Sequence, residues 1–167
     1  NLSYNFNNVD FRSSRKDLKS FVKEEDLGIE IPNSVSLKGS FSGDLKSLKT
    51  NSQLTTSNGD LKLKGDFKFD EEISFNAQFE TVKLDLGRLL KMDNLGTLDL
   101  KITTSGDGKD LNHLNANLDA TISDLSLNNY NIKDLKITGE FLDGEGPVTA
   151  NYKDENLDIA LNAYVNL

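Results

Sequence analysis

Over most of this chain the hydrophobic positions fall on every second residue. In LKLKGDFKF (61–69), Leu61, Leu63, Phe67 and Phe69 alternate with Lys62, Lys64, Asp66 and Lys68. An extended strand turns successive side chains to opposite faces, so this segment reads as a strand with one apolar and one charged side. The same alternation aligns Val35, Leu37 and Phe41 in 35–41, and Ile73, Phe75, Ala77 and Phe79 in 73–79. It continues with Leu98, Leu100 and Ile102 in 98–102, then Leu114, Ala116, Leu118, Ala120 and Ile122 in 114–122. Segments 135–141 (with Ile137 and Phe141), 148–152 (opening on Val148) and 157–165 (with Ile159 and Leu161) complete the series. Turn-forming residues stand between them: SNGD at 57–60, FDEE at 69–72, SGDGKD at 105–110 and DGEGP at 143–147. Pro32 and Pro147 sit just ahead of strands, where a missing N–H does least harm. The pattern predicts an all-β, largely antiparallel fold.

Two short helices are expected to interrupt it. SRKDLKSFV (14–22) opens on Ser14 with Asp17 three residues on, a variant of the capping box, and Leu18, Phe21 and Val22 form its apolar stripe. LDLGRLLKM (84–92) repeats the scheme, with Asp85 as N-cap and Leu86, Leu89 and Leu90 as the stripe. Two-turn helices are unstable alone in water, so both stripes are expected to tuck into the sheet or close its mouth. The helices belong to an internal repeat: DLKSFV at 17–22 matches DLGRLL at 85–90, and LKLKGDF at 61–67 matches LKITGEF at 135–141. Two repeat-like units, at about 9–81 and 82–167, each hold a helical turn and about four strands. The chain opens without Met or a signal peptide and stops within a strand pattern, which reads as a segment of a longer repeat-built protein.

Composition narrows the functions. Hydrophobic content of 36% without any Trp is lean, so a core must come from strand faces. A formal charge of −8, with lysines interleaved among Asp and Glu, excludes a nucleic-acid surface, which needs clustered Lys and Arg. Cysteine is absent, so there are no disulfides and no thiolate metal sites. No apolar run reaches the roughly 20 residues a membrane-spanning helix requires.

Catalytic groups are scarce. His113 is the only histidine and reads as a surface turn residue. The acidic runs KEED (23–26) and DEE (70–72) read as solvated turns rather than paired acid–base groups. GDGKD (106–110) and DGEG (143–146) lack the ligand spacing of a calcium loop. The residues offer no reaction, cofactor or metal site.

What remains is the apolar face. Leaving about 1,000 Å² of it in water would cost on the order of 25 kcal/mol, against a domain stability of about 5–15 kcal/mol. Two packed sheets, a small barrel, or a sheet bent into a trough and finished by an apolar ligand would each cover it. The sandwich is the commonest of these. The modest bulk of the inward residues, and glycines at 39, 65 and 139 within strands, favour the trough. Its candidate lining is Leu37, Phe41, Leu63, Phe67, Phe69, Phe75, Phe79, Leu98, Leu100, Ile102, Leu118, Ile122, Ile137, Phe141, Val148, Ile159 and Leu161. The outermost strands of such a sheet would have free edges and would associate edge to edge.

Three stretches carry a family resemblance: FETVKLDLGRLLKMDNLGTLDLKITTSGDG, LDATISDLSLNNYNIKDLKITGEF and YKDENLDIALNAY, in that order between Phe79 and Leu167. Their serial order is similar to late segments of the TamB (translocation and assembly module) proteins of the AsmA-like superfamily, in the form typical of the Bacteroidetes. Residues 17–54 resemble the preceding repeat of such proteins. The resemblance implies a taco-shaped β-trough with an apolar lining, in a protein anchored in the inner membrane of a Gram-negative bacterium and crossing the periplasm. It also implies a part in outer-membrane biogenesis, either as a conduit for phospholipid or in translocation and assembly of outer-membrane proteins. A barrel-assembly protein of the outer membrane would be the partner, bound through regions outside the residues that carry the resemblance.

Overall fold

A computed structural model describes residues 2–128 and 130–167. Among these, eleven strands form one antiparallel sheet: β1 (Ser3–Ser14), β2 (Ser34–Asp44), β3 (Ser47–Thr56), β4 (Gly59–Phe69), β5 (Ile73–Asp85), β6 (Leu95–Gly108), β7 (Leu114–Leu127), β8 (Tyr130–Ile132), β9 (Leu135–Phe141), β10 (Glu145–Lys153) and β11 (Asp158–Asn166). The sheet is a meander in chain order. β8 and β9 lie one after the other along β7, which leaves β1 and β11 as the two ends.

The sheet is neither doubled nor closed. Extensive contacts between elements join only sheet neighbours, apart from the short helices resting on β1 and β6. The accessible surface is 11023 Å² for 18.5 kDa, whereas a compact protein of that mass would expose about 8,200 Å². A sandwich would bury most of that difference. The fold is a curved, open trough with an apolar concave face.

Bulges and packing account for the bend. The ladder slips between Phe6 and Val9 of β1, between Thr81 and Leu84 of β5, and twice between β6 and β7 near Leu98. Each bulge adds local twist and kinks its strand. At the β5 bulge Lys83 takes the left-handed conformation, φ 49°, and its N–H donates to the Asp99 carboxylate. Side chains on the inside of the bend shade one another. Along β4, Leu61, Leu63 and Phe67 are half-buried and Gly65 is buried, while Lys62, Lys64, Asp66 and Lys68 are exposed. The buried residues of the lining include small ones, Ala77, Ala116, Ala120, Ala150, Thr50 and Thr81, together with the larger Leu84, Tyr152 and Phe141.

Three short helices stand at one end of the strands. α1 (Arg15–Leu18) is capped by Ser14, whose hydroxyl accepts the Asp17 N–H and donates to the Asp17 carboxylate at 2.7 Å. α3 (Leu86–Leu90) is capped by Asp85, which accepts the Arg88 N–H at 2.9 Å. α2 (Glu24–Leu27) lies within the acidic run read as a solvated turn. Here the stripe expectation needs correcting. Leu18, Leu86 and Leu89 are half-buried, but Phe21 is 86% exposed, and Val22 and Leu90 are exposed as well. α1 stops after one turn, because the N–H groups of Phe21 and Val22 both bond to the Leu18 carbonyl, and the tight turn carries Phe21 outward.

Candidate functional site: the apolar face of the trough

Partners in an antiparallel ladder share a face, so the register traces the lining from strand to strand. Leu63 stands opposite Phe79, Phe79 opposite Ile102, Ile102 opposite Ala120 and Ala120 opposite Ile137. Ile137 then meets Ala150, and Ala150 meets Leu161. A second row runs Leu37, Leu54, Leu61, Thr81, Leu100, Ile122, Leu135, with Tyr152 opposite Ile159 on the same parity. A third runs Phe41, Thr50, Gly65, Ala77, Thr104, Leu118, Gly139, Val148. Phe67, Phe75, Gly106, Ala116 and Phe141 form a fourth. Phe69 pairs with Ile73, and Leu98 stands between Leu84 and Leu125. All seventeen candidate lining residues therefore lie on one face. At about 4.8 Å per strand, this face runs about 43 Å across the sheet.

The lining is graded in depth. Phe141 is buried, Phe69 and Leu161 are 48% and 52% exposed, and the other fourteen are half-buried. No large side chain among the described residues is completely sealed. Two of the strand glycines make room for aromatic rings. A Cβ on Gly65 would meet the ring of Phe67, and one on Gly139 the ring of Phe141, while at Gly39 the neighbouring backbone of Asn51 and Ser52 comes close. The registers run unbroken past Gly65 and Gly139.

The opposite face is polar and laced with exposed cross-strand ion pairs: Lys49–Asp66 at 3.2 Å, Lys62–Glu80 at 3.5 Å and Lys153–Asp158 at 2.6 Å. A shallow hollow of about 490 Å³ on this face is lined by residues such as Asn76, Thr103, Ser105, Asn117 and Asp119.

The helical end is fastened by charge. The Glu30 carboxylate takes the Arg15 guanidinium and lies 3.7 Å from Arg88, and the Glu30 N–H donates to the Leu89 carbonyl at 2.7 Å. The bond from Arg15 holds the Glu30 carboxyl below its ordinary range. Glu24 lies 3.3 Å from Lys19 and 3.6 Å from Lys91, and accepts the Ile31 N–H at 3.1 Å. It is a clasp between the β1–β2 and β5–β6 connections. His113 is exposed and bonded to Asp110 at 2.8 Å, which raises its pKa. Among the described residues no three His, Asp or Glu side chains converge as a metal site, and no helix is long and apolar enough to cross a membrane.

The sequence reading passed over several residues of this surface. Tyr4, Phe6, Val9 and Phe11 of β1 extend the apolar face, but the bulge after Phe6 switches their parity and hides the alternation. Leu48 and Leu54 of β3 were masked by Thr50 and Ser52 between them. The rim opposite the helices carries an exposed leucine beside an aspartate in three turns: Leu45 after Asp44, Leu111 after Asp110, and Leu142 before Asp143. That recurring pair was the available signal. Comparisons of the chain with family models, with curated proteins and with solved structures gave no match.

Proposed function

We propose that this chain is a periplasmic trough segment of a TamB- or AsmA-like protein, anchored in the inner membrane of a Gram-negative bacterium, whose concave face carries phospholipid acyl chains between the two membranes. One observation supports this above the others: the apolar face is continuous from β2 to β11 and no second layer among the described residues covers it. Moving acyl chains through water costs about 0.8 kcal/mol per CH₂. An apolar groove removes most of that cost and leaves the headgroup wet at the open side. Such a carrier needs no reacting group, and its lining is made of aliphatic and aromatic side chains with a few Thr and Ser. The test is native mass spectrometry of the purified chain, with displacement of a fluorescent fatty-acyl probe by phospholipid. Bound phospholipid and saturable displacement are the expected result; a probe that does not bind sinks the reading.

A second reading is favoured by β1 and β11, each of which pairs on one side only among the described strands. Strands of outer-membrane barrel proteins could be held there by added backbone ladders during their assembly. Peptides with alternating apolar residues would then bind and compete with one another, while phospholipid would leave them in place.

A further inference from the structure

Exposed apolar residues recur at regular intervals along the rim opposite the helices. Each of the four hairpin turns described there carries them: Leu45 between β2 and β3, Phe69 and Ile73 flanking the β4–β5 turn, Leu111 between β6 and β7, and Leu142 between β9 and β10. The three leucines are 81%, 67% and 68% exposed, more than any residue of the candidate lining. Single exposed apolar side chains are ordinary on a protein surface, but a set repeated in every turn of one rim marks a place where something docks.

The turns are tied to one another. The Phe69 N–H donates to the Lys46 carbonyl at 2.7 Å and Lys46 pairs with Asp70 at 2.5 Å, which joins the first turn to the second. The Gly144 N–H donates to the Leu114 carbonyl at 2.9 Å and the Asp143 N–H to the Asn115 side chain at 3.1 Å, which joins the fourth to the third. A surface fixed in advance loses little entropy on binding. The same turns are acidic. Segments 44–47, 68–73, 107–113 and 142–145 hold eight Asp and Glu against three Lys. Glu71, Glu72, Asp107 and Asp143 are exposed and have no ion-pair partner among the described residues. This charge repels an anionic membrane surface and the same rim of a second copy, and it attracts a basic partner.

Spacing selects the partner's shape. Successive turns stand two strands apart along the sheet, a step of about 9.6 Å, so the four span about 29 Å. Seven residues of an α-helix rise about 10.5 Å, and a side chain repeated every heptad therefore meets turn after turn. One face of an extended strand repeats at about 6.7 Å, which does not keep that step. We propose that this rim docks an amphipathic helix of another protein, about 22 residues long, with apolar side chains on one face and Lys or Arg beside them. The surface lies outside the acyl-carrying function proposed above and does not depend on it.

The probe is a fluorescent synthetic helix of that length, with Leu at two positions of each heptad and Lys at most of the others. In fluorescence anisotropy it should bind the chain saturably, and more weakly as salt is raised. Its acidic counterpart, with Glu in place of Lys, and an alternating Leu–Lys peptide of strand period should not bind. The variant Leu45→Ser/Leu111→Ser/Leu142→Ser should lose about tenfold or more in affinity for the helix. Its fold should hold, since the three side chains are exposed, and circular dichroism checks that it does. A saturating fatty-acyl probe should leave the helix bound, which separates the rim from the apolar face; if the acyl probe itself fails to bind, the leucine variant still decides. Helix binding that the leucine variant does not weaken, or that the acyl probe displaces, overturns the proposal. So do equal binding of the alternating peptide and leucine-dependent pelleting of the chain with phosphatidylcholine vesicles.

Discussion

The ring of Phe67 lies over Gly65, so closely that a Cβ on the glycine would stand 2.6 Å from the ring's Cε2. The second copy of the pattern is looser, with 3.1 Å between a Cβ on Gly139 and the Phe141 ring. Gly65→Ala must push the ring aside, breaking its stacking on Phe69 at 6.4 Å between centroids. We expect a loss of about 1–2 kcal/mol for Gly65→Ala and under about 1 kcal/mol for Gly139→Ala. In urea unfolding, Phe67→Leu should remove most of the Gly65→Ala penalty. Additive effects of the two changes would show that the ring and the glycine do not interact.

The two faces of one strip should separate binding from folding. Leu63, Phe79 and Ile102 stand in a row on the apolar face, and Lys62, Glu80 and Lys101 beside them on the polar face. Replacing the first three with Gln should weaken acyl-probe binding about tenfold or more, which corresponds to at least about 1.4 kcal/mol. Replacing the second three with Gln should leave binding unchanged, since exposed ion pairs contribute about 0–1 kcal/mol at most. Equal effects from both sets would exclude the concave face as the binding surface.

Acid should act through Asp154. Its carboxylate accepts the hydroxyls of Tyr130 and Tyr152, and the N–H groups of Asn156 and Leu157 at 2.8 and 2.7 Å. These bonds, that of Tyr130 foremost, hold its pKa well below the ordinary 3.8. A depressed carboxyl stabilises the fold fully above its unfolded value, and that stabilisation fades as pH falls from there toward the folded value. The stability gap between the natural chain and Asp154→Asn should therefore be constant from about pH 5 to 7 and shrink below about pH 4. A gap independent of pH would mean that Asp154 acts without its charge.

The clasp at the helical end should open separately from the sheet. Glu30→Ala removes the shared partner of Arg15 and Arg88. Hydrogen exchange should then speed up in residues 15–31 and 86–91, with the central strands β4 to β7 still protected, because local opening draws on few buried contacts. Uniform acceleration across the sheet would show instead that the clasp supports the whole fold.

Much of this molecule was legible in the alternation alone. Period-2 spacing assigns the side chains of β4, of β5 up to Thr81, of β7 up to Ile122 and of β9 to a face before any strand is paired, because the pleat leaves only two directions. The caps Ser14 and Asp85 were readable for a similar reason, since capping is settled within one helical turn. Where the pattern failed, the cause was nonlocal or a break in period. β1 was hidden by its bulge, β3 by Thr50 and Ser52, and the outward swing of Phe21 by a helix that ends after one turn. The largest question lay beyond the sequence. A strand with one apolar face folds equally well into a sandwich, a barrel or an open trough, because alternation says that a face must be sheltered and not by what. Tertiary structure decided it: bulges kink β1, β5 and the β6–β7 pair, each strand pairs only with its neighbours, and the lining residues shade one another while remaining open to a guest.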